Sequence, residues 1–167
     1  FTDIAKIPSA LLTDWDLLDF CRENFNERIL STGMSTEEEI ENAVLAFQPT
    51  VLLHTNSSYP TPIEELNFGY IPWLQKKYPN IDVGYSNHYY GIVPMFASVA
   101  MGCSWIEFHI TLNHETWGSD QASSIEPSGV FKLVKGIRDI ELALEKGYDP
   151  RVVFPSEFSK RESLRKM

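Results

Sequence analysis

The sequence predicts an α/β fold built around a parallel sheet. Short apolar runs alternate with longer segments of helical period, and residues typical of helix starts follow the runs. The five predicted strands cover residues 4–8, 28–32, 50–55, 82–86 and 104–110. Each strand is short and apolar enough to be covered on both faces, as in a parallel sheet. With 167 residues, these five strand–helix units fit a single domain.

The segments between the strands carry helix-start chemistry. Ser35 or Thr36 caps the second helix, and a glutamate three residues later completes a capping box. A proline stands in the first turn of each of the last three helices, where its missing N–H costs little. Gly147 follows the last helix as its C′ residue. The helices are predicted over residues 13–24, 36–47, 61–74, 94–101 and 127–146.

Composition excludes several classes of function. The net charge of −9 argues against a broad nucleic-acid surface, which is basic. No run approaches the roughly 20 apolar residues of a membrane helix, and residues 1–10 do not resemble a secretion signal. Cys21 and Cys103 form no CxxC pair, so we expect buried free thiols in a reducing compartment and a cytoplasmic protein. The chain opens at Phe1 without an initiator methionine, which is typical of a piece of a longer polypeptide.

Polar residues gather at the carboxyl ends of the predicted strands. They are Lys6 and Ser9, Ser31 and Thr32, residues 54–58, residues 86–88, and His109 with Thr111. Functional groups lie at the carboxyl ends of the strands both in doubly wound sheets and in (β/α)₈ barrels. The sequence therefore predicts one site at this edge, with either architecture open.

His88 and His109 end consecutive strands and reach the same rim. Two neutral imidazoles are good ligands for a divalent metal, although the spacing alone favours a hydrogen-bonded histidine pair. Glu107 lies two residues before His109 and shares its face of the strand. It is either an ion-pair partner inside the sheet or a group that orients a metal ligand.

Four further features could bind a ligand. Lys6 either is a solvated residue at a strand end or, if its side chain is directed into an apolar interior, needs an anion nearby. Ser31 precedes a capped helix, where hydroxyls and N–H groups hold phosphate or carboxylate oxygens, unless this is an ordinary turn. The stiff Tyr59-Pro60-Thr61-Pro62 connection either holds Tyr59 over a pocket or starts a helix. Asp120 lies in a polar loop as a ligand contact or as a turn residue.

Taken together, these motifs resemble the sialic acid synthase family. This family comprises N-acetylneuraminate synthases with their legionaminate and pseudaminate relatives. The likeness runs from about Lys6 to the last helix. The motifs are KIPS at 6–9, LSTGM at 30–34, LH at 53–54 with YPTP at 59–62, GYSNH at 84–88, IEFHITL at 106–112, Asp120, and SIEP at 124–127.

The resemblance implies a (β/α)₈ TIM barrel followed by a small antifreeze-like domain. Residues 1–148 would be an incomplete TIM barrel holding strands four to eight with their helices, and residues 149–167 a linker toward the absent domain. The implied enzyme is a transferase that condenses phosphoenolpyruvate with an N-acylhexosamine such as N-acetylmannosamine and releases phosphate. It would be a homodimer when full length, and the isolated chain would be inactive.

The resemblance also implies roles for nine residues. His88 and His109 would bind a divalent metal, Mn²⁺ or Mg²⁺. Tyr59 and Asp120 would be catalytic. The substrate-binding residues would be Lys6, Ser9, Ser31, Ser57 and Ser86. The sequence departs from the family pattern at Asn87, where an aspartate is common, at residues 56–57 and at the turn 117–120, which puts the sugar preference in doubt.

Two alternatives remain at this point. A metal-dependent (β/α)₈ hydrolase would use the same two histidines without phosphoenolpyruvate, but it leaves Lys6 and the Tyr59 connection unexplained. A non-catalytic module would pack the open edges of a five-stranded sheet on another chain.

Overall fold

The fold is an α/β structure with one sheet of five parallel strands. The computed structural model describes residues 2–145, 147 and 150–165. The strands follow one another in the sheet in chain order, each pairing with the next. They are β1 Ile4–Ile7, β2 Glu27–Ser31, β3 Val51–Thr55, β4 Asp82–Asn87 and β5 Trp105–Phe108. The predicted parallel α/β class is confirmed.

A helix crosses between each pair of neighbouring strands, and two follow the last one. The helices are α1 Trp15–Asn24, α2 Glu37–Phe47, α3 Tyr70–Lys77, α4 Val93–Ala100, α5 Pro127–Leu144 and α6 Phe158–Leu164. Local chemistry sets several of these ends. Asp14 caps α1 by accepting the Leu17 N–H, and Thr36 with Glu39 forms the predicted capping box of α2. Prolines stand in the first turns of α4 and α5.

The predicted helix over 61–74 is wrong in its first half. The Thr61 hydroxyl donates to the Ser58 carbonyl at 2.8 Å instead of capping a helix. A short 3₁₀ turn, Ile63–Glu65, follows, and Asn67 then takes a φ of 45°, which no α-helix contains. The α-helix therefore begins only at Tyr70.

The ends of β5 and α5 also differ from the predictions. Strand β5 ends at Phe108, and Ile110 makes only an isolated bridge to Ile125. Helix α5 ends at Leu144, whose carbonyl accepts the Gly147 N–H at 2.9 Å. Residue 146, the predicted helix end, lies outside the described residues. So do residues 148 and 149, where we placed the boundary of the barrel segment, and the linker assignment of 149–167 stays a prediction.

Apolar side chains cover both faces of the sheet. The larger cluster lies between the strands and the helices and includes Leu30, Leu52 and Tyr85. On the opposite face, Ile29, Val51 and Leu53 pack with Trp105. Cys21 and Cys103 are buried free thiols, as predicted, and burial raises the pKa of Cys103 to about 12.

Side chains of the first and last strands are in contact, which shows that the sheet is curled. The Lys6 ammonium on β1 lies 3.0 Å from a carboxylate oxygen of Glu107 on β5. In a flat sheet, four strand spacings of about 4.8 Å would separate these strands by about 19 Å, too far for this pair. The five strands therefore form a half-barrel, consistent with part of a TIM barrel. Within the described residues, no helix combines the length and apolarity needed to cross a membrane.

Candidate functional site

One cavity of about 400 Å³ lies inside the half-barrel at the carboxyl ends of the strands. Side chains alternate between the two faces of a strand, so residues two apart share a face. Trp105, which packs in the inner layer, is therefore followed on the same face by Glu107 and His109. Eight of the nine predicted site residues line the cavity: Lys6, Ser9, Ser31, Ser57, Tyr59, Ser86, His88 and His109. The ninth, Asp120, approaches His109 from the loop after β5.

The two histidine rings meet edge to face. Their centroids are 5.2 Å apart, with an interplanar angle of 84°. The Nδ1–H of His88 donates to the Asn56 carbonyl. Because a carbonyl oxygen only accepts, Nδ1 carries the proton, and Nε2 of the neutral ring keeps its lone pair. Burial lowers the pKa of His88, which favours this neutral form.

Asp120 lies beside the second histidine. Its Oδ2 is 3.5 Å from Nδ1 of His109. Both imidazoles thus have a partner on the Nδ1 side, an arrangement that fixes ring orientation at metal sites. The described part of the chain contains no group of three or more His, Cys, Asp or Glu side chains arranged to hold a metal. Two imidazoles alone fit an open metal site whose other ligands are water or substrate oxygens.

A carboxylate links the two sides of the cavity. Oε1 of Glu107 lies 3.0 Å from the Lys6 ammonium, and Oε2 accepts the Ser86 hydroxyl at 2.7 Å. Glu107 is therefore the anion that pairs with Lys6, in agreement with the interpretation of Glu107 as an ion-pair partner. The side chains of Lys6 and Glu107 are 32% and 36% exposed to solvent.

The remaining serines surround the loop after β2. The Gly33 N–H donates to the Ser9 hydroxyl at 2.9 Å. Ser31 is 2% exposed, and its hydroxyl has no hydrogen-bond partner among the described residues. A side chain at position 33 would crowd the hydroxyls of Ser9 and Ser57. Glycine at this position thus leaves room for the Ser9 and Ser57 side chains at one end of the cavity.

Tyr59 covers the histidines. Its ring centroid is 4.1 Å from that of His88 and 5.7 Å from that of His109. Burial raises the pKa of Tyr59, and the carboxylates of Asp120 and Glu107 add to the shift. The phenol therefore keeps its proton. Of the two interpretations of the Tyr59 connection, the structure supports the one in which this residue lies over a pocket.

The sequence interpretation missed the role of Asn56. Its backbone carbonyl orients His88, so no carboxylate at position 87 is needed for that purpose. Asn87 instead braces the loop after β4, accepting from the Tyr85 hydroxyl and donating to the carbonyls of Tyr89 and Gly91. No sequence pattern indicates that a particular backbone carbonyl will accept a hydrogen bond from a histidine ring.

A larger cavity of about 610 Å³ is bordered by residues 54–58, at the end of β3 and in the loop that follows it. It is lined by His54, Tyr70 and Ile40 from the helix side of the sheet, and Ser57 is the one predicted site residue that reaches it. His54 is buried there, and its ring donates from Nε2 to the Leu66 carbonyl at 2.7 Å. The site chemistry is therefore concentrated in the smaller cavity.

The half-barrel and its cavity place the chain among α/β proteins whose functional site lies at the carboxyl ends of parallel strands. The chain belongs to the NeuB family, whose model matches residues 1–149. This confirms the resemblance to sialic acid synthases.

The names of similar proteins agree with this assignment. Human N-acetylneuraminate-9-phosphate synthase is 32% identical over 166 residues, which cover 96% of this chain and 45% of the relative. N,N'-diacetyllegionaminic acid synthase of Campylobacter jejuni is 36% identical over 151 residues, with 86% and 45% covered. The crystal structure of a sialic acid synthetase from Leptospira borgpetersenii superposes with a TM-score of 0.83 at 34% identity, covering 99% of this chain and 60% of that chain. The chain thus spans about half the length of the curated relatives.

Proposed function

We propose that the whole protein condenses phosphoenolpyruvate with an N-acylated amino sugar such as N-acetylmannosamine, forming a sialic acid-type nonulosonate and releasing phosphate. One observation carries this proposal. The side chains that family resemblance assigns to substrate and metal, from five different strand ends, line a single cavity. Such convergence is what an active site at the mouth of a barrel requires.

We further propose that this chain supplies strands four to eight of an eight-stranded barrel. The strands pair in simple chain order, and β1 and β5 each have one neighbour within the described sheet. A complete barrel takes about 250 residues, so three more strand–helix units would close the sheet. In this proposal a C-terminal antifreeze-like domain follows, the complete enzyme is a cytoplasmic homodimer, and the isolated chain is inactive.

Phosphoenolpyruvate would occupy the serine-rich end of the cavity. The Lys6 ammonium offers charge-assisted hydrogen bonds to phosphate or carboxylate oxygens. Ser31 supports this placement, because its buried hydroxyl has no hydrogen-bond partner in the described part of the chain and can donate to a ligand. Ser9 and Ser57 lie around Gly33 in the same cavity, which Ser86 also lines.

The proposed reaction joins two carbons and then splits one C–O bond. C3 of phosphoenolpyruvate attacks the aldehyde carbon of the open-chain sugar, and the aldehyde oxygen takes a proton to become a hydroxyl. Water then adds at C2, and cleavage of the bond between C2 and the phosphate oxygen releases phosphate and leaves a keto acid. Tyr59, as a neutral phenol beside both histidines, and Asp120, beside His109, are the residues we assign to the reacting centre.

His88 and His109 would hold a divalent ion, Mn²⁺ or Mg²⁺, through their Nε2 atoms. When bound, such an ion supplies Lewis-acid polarisation of the aldehyde carbonyl. The Asn56 carbonyl keeps the His88 ring in the ligand tautomer. Asp120 has the corresponding position at His109.

The test uses the full-length protein with His88→Ala and His109→Ala, measured as phosphate released in the presence of both substrates and Mn²⁺. Each change should abolish turnover. His114→Ala is the control, because His114 contacts Glu126 and Ser124 outside the cavity, and it should keep turnover. Activity retained in both cavity variants would remove the metal assignment, and product formed without phosphoenolpyruvate would favour a hydrolase.

A further inference from the structure

Glu107 occupies the cavity without a role in the proposed reaction. Its two carboxylate oxygens contact one donor each, the Lys6 ammonium at 3.0 Å and the Ser86 hydroxyl at 2.7 Å. Both donors are residues that we assign to substrate binding. Glu107 itself reaches them from β5, where it pairs in register with Ser86 of β4.

These contacts restrict what the two donors offer a ligand. A lysine ammonium has three N–H groups. When one of them is bonded to Glu107, the other two remain available to a ligand and point in fixed directions. A serine hydroxyl has a single proton, which Ser86 gives to Glu107. Toward the cavity, Ser86 therefore presents lone pairs only, whereas Lys6 presents donors.

We propose that Glu107 is a positioning residue for the anionic substrate. It holds the Lys6 ammonium across the mouth of the half-barrel, and the hydrogen bond that Ser86 donates to its other oxygen holds the carboxylate itself in place. The proposal rests on the proposed function, in which Lys6 binds phosphoenolpyruvate. Lys6 comes from β1 and has a long flexible side chain. Without Glu107, this side chain would become ordered only when the substrate binds, and the entropy cost would weaken substrate binding.

The test compares three variants in the full-length protein. Glu107→Ala removes both contacts, and the Michaelis constant for phosphoenolpyruvate should rise about tenfold, as expected when one charge-assisted hydrogen bond is no longer preorganised. Glu107→Gln should recover most of that loss, because its amide oxygen still accepts from Lys6. Glu41→Ala is the matched control, since Glu41 pairs with Lys77 at 3.3 Å on the helical surface.

Comparison of the Michaelis constants of the two substrates distinguishes a positioning role of Glu107 from a structural one. In Glu107→Ala, the Michaelis constant of the amino sugar should stay unchanged, and so should the thermal midpoint. An unchanged constant for phosphoenolpyruvate would overturn the proposal, and so would a Glu107→Gln variant as impaired as Glu107→Ala. If Glu107→Ala does not fold, Glu107→Asp decides, because a carboxylate shorter by one methylene cannot reach both donors and should also raise the constant.

A binding measurement keeps this proposal distinct from the proposed function. Calorimetric titration of phosphoenolpyruvate into the protein with Mn²⁺ and no sugar reports the anion site alone. Absence of turnover in the wild type, together with weaker binding of phosphoenolpyruvate in Glu107→Ala, would refute the synthase reaction and uphold the positioning role. Equal binding in wild type and Glu107→Ala would refute the positioning role, whatever the reaction.

Discussion

Gly84→Ala should destabilise the half-barrel because position 84 has no space for a methyl group. Gly84 lies between Leu53 and Trp105 in the row of paired residues that crosses β3, β4 and β5. An added Cβ would lie 2.6 Å from Leu53 Cδ2, from Trp105 Cβ and from the Trp105 carbonyl oxygen. The leucine can rotate, but the carbonyl moves only with its strand. We expect a loss of about 2 kcal/mol, as for other overpacked interiors.

Urea unfolding of the full-length protein, followed by tryptophan fluorescence, measures this loss directly. Gly69→Ala is the control, because its added Cβ would meet only Asn67 Oδ1, at 4.0 Å. The unfolding midpoint of Gly84→Ala should lie well below that of Gly69→Ala, with the same slope. Equal midpoints would show that the inner layer tolerates a methyl group, and the tight packing between β4 and β5 would be refuted.

Two further predictions concern the loop after β2 and the buried histidine. Gly33→Ala should displace the hydroxyls of Ser9 and Ser57, raising the Michaelis constant for phosphoenolpyruvate with little loss of stability; an unchanged constant would contradict this. Burial lowers the pKa of His54 below its ordinary value of 6.5, so the unfolded chain takes up the proton first as the pH falls. Stability should therefore decrease below about pH 6.5, and His54→Gln should reduce that decrease in urea midpoints compared between pH 7.5 and pH 5.5.

The sequence predicted the elements whose signals are local. Apolar runs located all five strands, and the Thr36–Glu39 capping box placed the start of α2. The same reasoning failed at Thr61, where an equally good capping sequence precedes a proline. There the hydroxyl bonds backward to Ser58, and the positive φ of Asn67 prevents a continuous helix. A start signal shows that a helix can begin at a residue, whereas the packing of the following loop decides whether it does.

The candidate site was predictable where it depended on strand ends and not where it depended on curvature. Side chains at the ends of parallel strands meet in any such sheet, so His88 and His109 were expected to converge. The contact between Lys6 and Glu107 arises only because β1 and β5 curl toward each other. Nothing in the spacing of these two residues distinguishes a curled sheet from an open one.

The charge of the cavity bears on how an anion would bind there. Among the described residues that line it, Lys6 is the only lysine or arginine, and Glu107 offsets its charge. In the positioning proposal, the fixed direction of the Lys6 ammonium outweighs this offset. His88 adds no charge, because burial lowers its pKa. A substrate carrying both a phosphate and a carboxylate would therefore meet hydroxyl and N–H donors but no net positive charge, within a chain whose net charge is −9. Tight binding of phosphoenolpyruvate then requires further cations. The divalent ion proposed for the histidine pair supplies one, and basic side chains from three additional strand–helix units would supply the rest, so we expect the isolated chain to bind this substrate far more weakly than a closed barrel does.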